Sequence, residues 1–279
     1  MYLEKLSNLI RWYTKTSPIT EGKKQLINLT KRFIIPANPN QMATMKHGFN
    51  LELNLSNSEH LRMWLYSDHD ERYETNCLKS LIKPNNICWD IGANIGFYTC
   101  FFAQNISTNG HVYTFEPAKE TYKYLCRQIN NNNFDEKVTP YQLGIGAQQE
   151  DVNLYYDNAN SAEGTASIVE SDTKKHHEII KIDSIDNLLS NKVIKPANII
   201  KIDVEGYQAN VLLGGKEFFT KNSPTILIEL KESDKNSMRK VEEIIRDYGF
   251  LIFEINKRSL TPCKNITKSK KRNFLLRKK

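Results

Sequence analysis

One stretch limits what this chain can fold into more than any other: Ile87-Cys88-Trp89-Asp90-Ile91-Gly92-Ala93-Asn94-Ile95-Gly96-Phe97-Tyr98-Thr99. An apolar run carrying an acid near its end passes through a turn of small residues and re-enters an apolar segment. Ile87, Trp89 and Ile91 predict a buried strand, and residues 97–104 predict a helix whose first amides face a ligand. Between them Gly92 and Gly96 allow a tight turn and a close approach of backbone to that ligand. A strand, loop and helix in this order hold a nucleoside.

The dinucleotide fingerprint asks for Gly-x-Gly-x-x-Gly, whereas this loop reads Gly92-x-Asn94-x-Gly96 with Asp90 two residues ahead of the first glycine. That acid would repel a pyrophosphate. S-adenosylmethionine carries an ammonium and a sulfonium and no phosphate, so a carboxylate beside the loop suits it better. The next predicted strand, His111-Val112-Tyr113-Thr114-Phe115-Glu116-Pro117, ends in an acid roughly 20 residues past the turn, the spacing at which Rossmann-like folds bind ribose hydroxyls. Glu116 is the ribose candidate.

A second stretch, Ala197-Asn198-Ile199-Ile200-Lys201-Ile202-Asp203-Val204-Glu205-Gly206, is an apolar strand that ends in two acids. Ligands of open α/β sheets bind at the carboxyl ends of strands, so Asp203 and Glu205 are expected in the same crevice as Asp90 and Glu116. Acids placed there are costly unless they are used or paired.

Strand-like and helix-like segments alternate through most of the chain, which predicts a parallel sheet with helices on both faces. Helices are expected over residues 121–130 and 238–248, and a helix opening at Asp70 runs to about Ile82. Strands are expected over residues 138–143, 151–156, 179–182, 224–230 and 250–255. Residues 273–276 offer an antiparallel edge to the last of these. His176-His177 reads as a surface loop. Ahead of the sheet, residues 2–15 and 22–33 predict two amphipathic helices, broken by Pro36 to Asn40. We therefore divide the chain into a helical extension, 1–45, and a main domain, 46–279. The extension's apolar faces suit a lid or a homodimer contact.

The net charge of +7 suggests a nucleic-acid partner until it is located. Residues 261–279 hold eight Lys/Arg and no acid, and elsewhere 31 basic side chains face 32 acidic ones. A nearly neutral body with acids in its crevice disfavours a phosphate backbone. No apolar run is long enough for a membrane span, and no signal-peptide pattern opens the chain. The five cysteines are an odd number without CxxC spacing, which fits reduced thiols and a cytoplasmic location.

Taken together these motifs resemble the FkbM-type methyltransferases, a branch of the class I S-adenosylmethionine-dependent enzymes. The resemblance rests on Tyr73-Glu74, Asp90 through Thr99, Phe115-Glu116-Pro117, Gly164-Thr165-Ala166-Ser167, Ile182-Asp183-Ser184-Ile185-Asp186 and Lys201-Ile202-Asp203-Val204-Glu205-Gly206. It implies an α/β, Rossmann-like class I methyltransferase fold: a mostly parallel seven-strand sheet flanked by helices, with a last antiparallel strand. It also implies methyl transfer to a hydroxyl of a sugar, glycan or natural product, with S-adenosylmethionine held by Glu74, Asp90, Gly92, Ala93, Asn94, Gly96, Tyr98, Thr99, Glu116 and Pro117. Asp203 is the candidate base, with Glu205 beside it. A less favoured arrangement places Asp203, Glu205 and Glu229 around Mg2+, as in catechol methyltransferases. Nucleic-acid amino methyltransferases usually carry an Asn/Asp-Pro-Pro-aromatic motif where this chain has Asp203-Val204-Glu205-Gly206. A non-catalytic binding module would not need those acids.

Overall fold

The computed structural model describes residues 9, 12, 13, 39–69, 71–156, 168, 176–230 and 235–278. Most of the two helices expected before Pro36, and the segment Gly164-Thr165-Ala166-Ser167, lie outside the described residues. The chain separates into two units, residues 1–72 and 73–279.

In the first unit, β1 (Asn40–Thr44) and β2 (Asn50–Asn54) form an antiparallel hairpin. The alternation of Leu51 and Leu53, both fully buried, fixes which face of β2 turns inward. Helix α1 (Ser58–Tyr66), which is not among the helices expected from the sequence, is started by Asn57, whose Oδ1 accepts from the amides of Glu59 at 2.7 Å and His60 at 3.2 Å. Beyond it Asp68 is buried against Lys46 and, at 3.3 Å, His47.

Helix α2 (Arg72–Leu81) leads into the second unit. There β3 (Ile87–Ile91), α3 (Phe97–Asn105), β4 (His111–Phe115), α4 (Lys119–Asn131) and β5 (Val138–Tyr141) repeat strand and helix. The short β6 (Gly144–Ile145), β7 (Glu150–Tyr156) and β8 (His176–Asp183) then form a separate three-stranded sheet in the order β6-β8-β7. The two histidines expected in a loop open β8 and are exposed there. Ser184 starts α5 (Ile185–Ser190) by accepting from the Asn187 amide at 3.2 Å. The chain continues through β9 (Ile199–Ile202), α6 (Gln208–Gly214), α7 (Lys216–Lys221), β10 (Thr225–Glu229), α8 (Lys235–Asp247), β11 (Leu251–Ile255), β12 (Leu260–Pro262) and β13 (Asn273–Arg277).

The main sheet has eight strands among the described residues, ordered β12-β11-β13-β10-β9-β3-β4-β5. Pairings from β10 through β5 are parallel, and those involving β13 or β12 are antiparallel. The eighth strand, β12, is a short edge partner of β11 that the expected seven did not include. Residues 273–276 do not form an edge: β13 inserts between β10 and β11, with Phe274, Leu275 and Leu276 fully buried. Part of the basic tail is therefore central to the core, where each such side chain contributes about 1.5–3 kcal/mol by burial. Trp89, Ile200, Ile202, Phe219, Ile226 and Phe274 belong to one large apolar cluster.

Candidate functional site

Parallel pairing of β4, β3, β9 and β10 brings their carboxyl ends out at one end of the sheet. Asp90 near the end of β3, Glu116 just past β4 and Asp203 just past β9 stand along that end, as the strand reading expected of these three, and Glu229, which that reading did not include, closes β10 beside them.

The loop 92–96 is held from several sides. The amides of Gly92 and Ala93 both donate to the Phe115 carbonyl at 3.0 Å, and the Asn94 amide donates to Glu116 Oε2 at 2.9 Å. Asn94 takes a left-handed backbone, φ 50°, which this residue type tolerates. Its Oδ1 is buried without a hydrogen-bond partner among the described residues. Gly92, φ 81°, makes the tight turn expected of it, and it is needed for a further reason: a Cβ there would lie 1.9 Å from the Asp203 carbonyl oxygen, so the chain's own backbone also approaches it closely. Gly96, φ 92°, likewise lies against a side chain, Leu125 of α4.

Glu116 has two backbone partners. Its Oε2 fixes the loop through Asn94, and its Oε1 accepts from the Ala118 amide at 3.0 Å ahead of α4. Burial pushes its carboxyl up to about 7, against the pull of those two amides. Glu178, on β8, adds to that rise and itself accepts from the Lys119 amide at 3.1 Å. The small sheet thus borders the ribose candidate, a relation that a reading of local segments did not supply.

Asp90 is 1% exposed, and its Oδ2 accepts from the Thr99 hydroxyl at 2.6 Å. That hydroxyl also bonds Thr114 at 2.8 Å. Burial pushes Asp90 up to about 6, opposed first by Thr99 and then by the Lys201 ammonium. Thr99, expected to touch the cofactor, is fully buried and serves the site through Asp90. Pro117 is half-buried beside Glu116. Glu74 stands half-buried in the first turn of α2, and the structure places it beside Cys77, whose thiol it helps push up.

The residue that sequence reasoning missed is Lys201. It is fully buried in β9, and its Nζ lies 3.4 Å from Asp203 Oδ2, 3.5 Å from Asn273 Oδ1, 4.0 Å from Glu229 Oε2 and 5.0 Å from the centre of the Tyr98 ring. Arg272 closes the group by meeting Glu229 Oε1 at 3.0 Å. A lysine among isoleucines was the available signal, since a buried charge has to be paired. The trio expected around Mg2+ is not gathered as such: the Lys201 ammonium stands between Asp203 and Glu229. Among the described residues no three His, Cys, Asp or Glu side chains are grouped to hold a metal.

Residues 90–252 match the methyltransferase FkbM domain. The chain belongs to the FkbM methyltransferase family. This FkbM chain is 28% identical over 148 residues to the hexuronic acid methyltransferase AglP of Haloferax volcanii, a match covering 52% of this chain and 57% of that protein. It is 23% identical over 180 residues to Methyltransferase 1 of Beauveria bassiana, covering 58% of this chain and 71% of that protein. The match therefore spans little more than half the length of the archaeal relative. A crystal structure of an FkbM methyltransferase from Methylobacillus flagellatus superposes with a TM-score of 0.44 at 17% identity, covering 71% of this chain and 45% of that one. No described helix is long and apolar enough to cross a membrane.

The site of this FkbM chain fits S-adenosylmethionine on its own chemistry. The orphaned Asn94 Oδ1 needs a donor, which an ammonium or a hydroxyl supplies, and the oxygens of Glu116 keep further lone pairs for ribose hydroxyls. Two carboxyls raised by burial would be drawn back toward ionisation by a cationic ligand.

Proposed function

We propose that this protein transfers the methyl group of S-adenosylmethionine to a hydroxyl oxygen of a sugar or glycan. The observation that carries the reading is the loop 92–96, fastened by Glu116 and holding a buried Asn94 Oδ1 without a hydrogen-bond partner among the described residues, at the sheet end where Asp203 stands. The name of the archaeal relative supports a sugar acceptor.

When bound, S-adenosylmethionine supplies an electrophilic methyl on a sulfonium. The chain's part is to bind, orient and move a proton. Asn94 and Glu116 hold the nucleoside, with Glu74 and Pro117 as further contacts. Tyr98, 7% exposed, walls the site beside Lys201. Asp203, whose side chain is 36% exposed, can reach an acceptor hydroxyl and take its proton as the oxygen attacks. Glu205, half-buried two residues on, adds a second carboxylate on the acceptor side.

Incubation with methyl-labelled S-adenosylmethionine and three acceptor pools, nucleotide sugars, cell-surface glycan extract and total RNA, tests the reading. Label should pass to a carbohydrate pool in an alkali-stable ether and not to RNA. Asp203→Asn should lower turnover by about 100-fold or more with S-adenosylmethionine binding retained. Label in RNA, or full activity in Asp203→Asn, would overturn the acceptor or the base respectively.

A further inference from the structure

Lys201 is surrounded in a way that a structural lysine in a sheet does not require. Its ammonium is met by an Asp, a Glu and an Asn contributed by β9's carboxyl end, β10 and β13, at 3.4, 4.0 and 3.5 Å. All three atoms are hard oxygen acceptors of the kind that bind divalent cations such as Mg2+. The fourth wall is the face of Tyr98, which attracts a cation through its ring quadrupole. The register places them there. Lys201 pairs with both Asp90 and Leu227 across the parallel strands, and Glu229 pairs with Asn273, so the oxygens sit around the end of one lysine side chain.

We propose that the Lys201 ammonium is a tethered cation occupying the position a divalent metal would take among Asp203, Glu229 and Asn273. Lys201 is then a positioning residue. It compensates the two carboxylates, fixes the rotamer of Asp203 toward the acceptor, and leaves the crevice without room for a metal. What the cation is for rests on the methyl-transfer reading; that it fills a metal-like oxygen cage does not.

The cage itself can be tested without any acceptor. Lys201→Ala removes the ammonium from among the oxygens of Asp203, Asn273 and Glu229, the last still paired through Oε1 with Arg272, and Mn2+ followed by electron paramagnetic resonance reports whether they bind. The full-length Lys201→Ala protein, checked for fold by circular dichroism, should bind one Mn2+ per chain at least ~10-fold more tightly than the wild type. Adding Asp203→Asn or Asn273→Ala to it should abolish that binding. Lys201→Gln, which keeps the volume, stands in if the alanine variant does not fold, and it should show the same gain in smaller measure. The proposal is overturned if folded Lys201→Ala and Lys201→Gln bind Mn2+ no better than the wild type, or if the wild type already binds Mn2+ in a way that Asp203→Asn removes. Failure of the wild type to bind S-adenosylmethionine would count against the methyl-transfer reading instead and leave the Mn2+ result intact.

Discussion

At the level of single residues the site is shaped by burial more than by exposed charge. Gly92 and Gly249 separate two costs. Both take φ near 80°, but a Cβ at Gly92 would strike the Asp203 carbonyl whereas nothing lies within 4 Å of one at Gly249. Gly249→Ala should cost about 1 kcal/mol, the left-handed backbone alone. Gly92→Ala should cost about 3 kcal/mol or more, because β3 and β9 must also part. Urea denaturation of the two variants measures the difference. Asp90 gives a pH prediction with a definite sign. Its carboxyl binds a proton more tightly folded, at about 6, than unfolded, so ionising it takes stability away as pH rises between roughly 4 and 6. Asp90→Asn, which cannot ionise, should therefore gain on the wild type as pH rises through that window. A gap that stays constant from acid to neutral pH would contradict the burial of an ionisable Asp90.

At the level of elements, the segments that obey a local rule were readable and those decided by distant partners were not. The strand, loop and helix from Ile87 to Thr99 could be placed because periodicity and glycine position are local. The strand ends at Glu116 and Asp203 followed in the same way. Lys201 could be noticed as a charge among isoleucines, but its setting was not legible, because its partners Glu229 and Asn273 lie far along the sequence and no spacing links them. Nor was the place of β13 legible. A short, basic, apolar run reads as an edge, and only the competition for β10 decides that it inserts. Lys278 fastens the end of that segment by donating to the carbonyls of Phe219 at 2.6 Å and Thr220 at 2.9 Å. Ending the chain at Arg272 should thus abolish cooperative unfolding, and Leu275→Ala should cost about 2–5 kcal/mol. A truncated protein that melts like the full chain would contradict the central position of β13.

For the whole molecule, the described architecture places four strand ends and a fastened loop at one end of a mostly parallel sheet, and the methyl transfer proposed above is the chemistry we assign to that end. The expected extension, 1–45, enters only as a proposal. Removing residues 1–38 should leave S-adenosylmethionine binding unchanged while lowering turnover of a bulky acceptor or converting a dimer to monomers in light scattering. The central claim is that the loop 92–96 and Glu116 form a nucleoside site for S-adenosylmethionine. Isothermal titration calorimetry of the wild type and Glu116→Ala with S-adenosylmethionine and with NAD tests it most directly. The wild type should bind S-adenosylmethionine in preference to NAD, and the variant, having lost a charge-assisted contact of about 1.5–3 kcal/mol, should bind it roughly tenfold or more weakly. Equal affinity in the two proteins, or preference for NAD, would contradict the account.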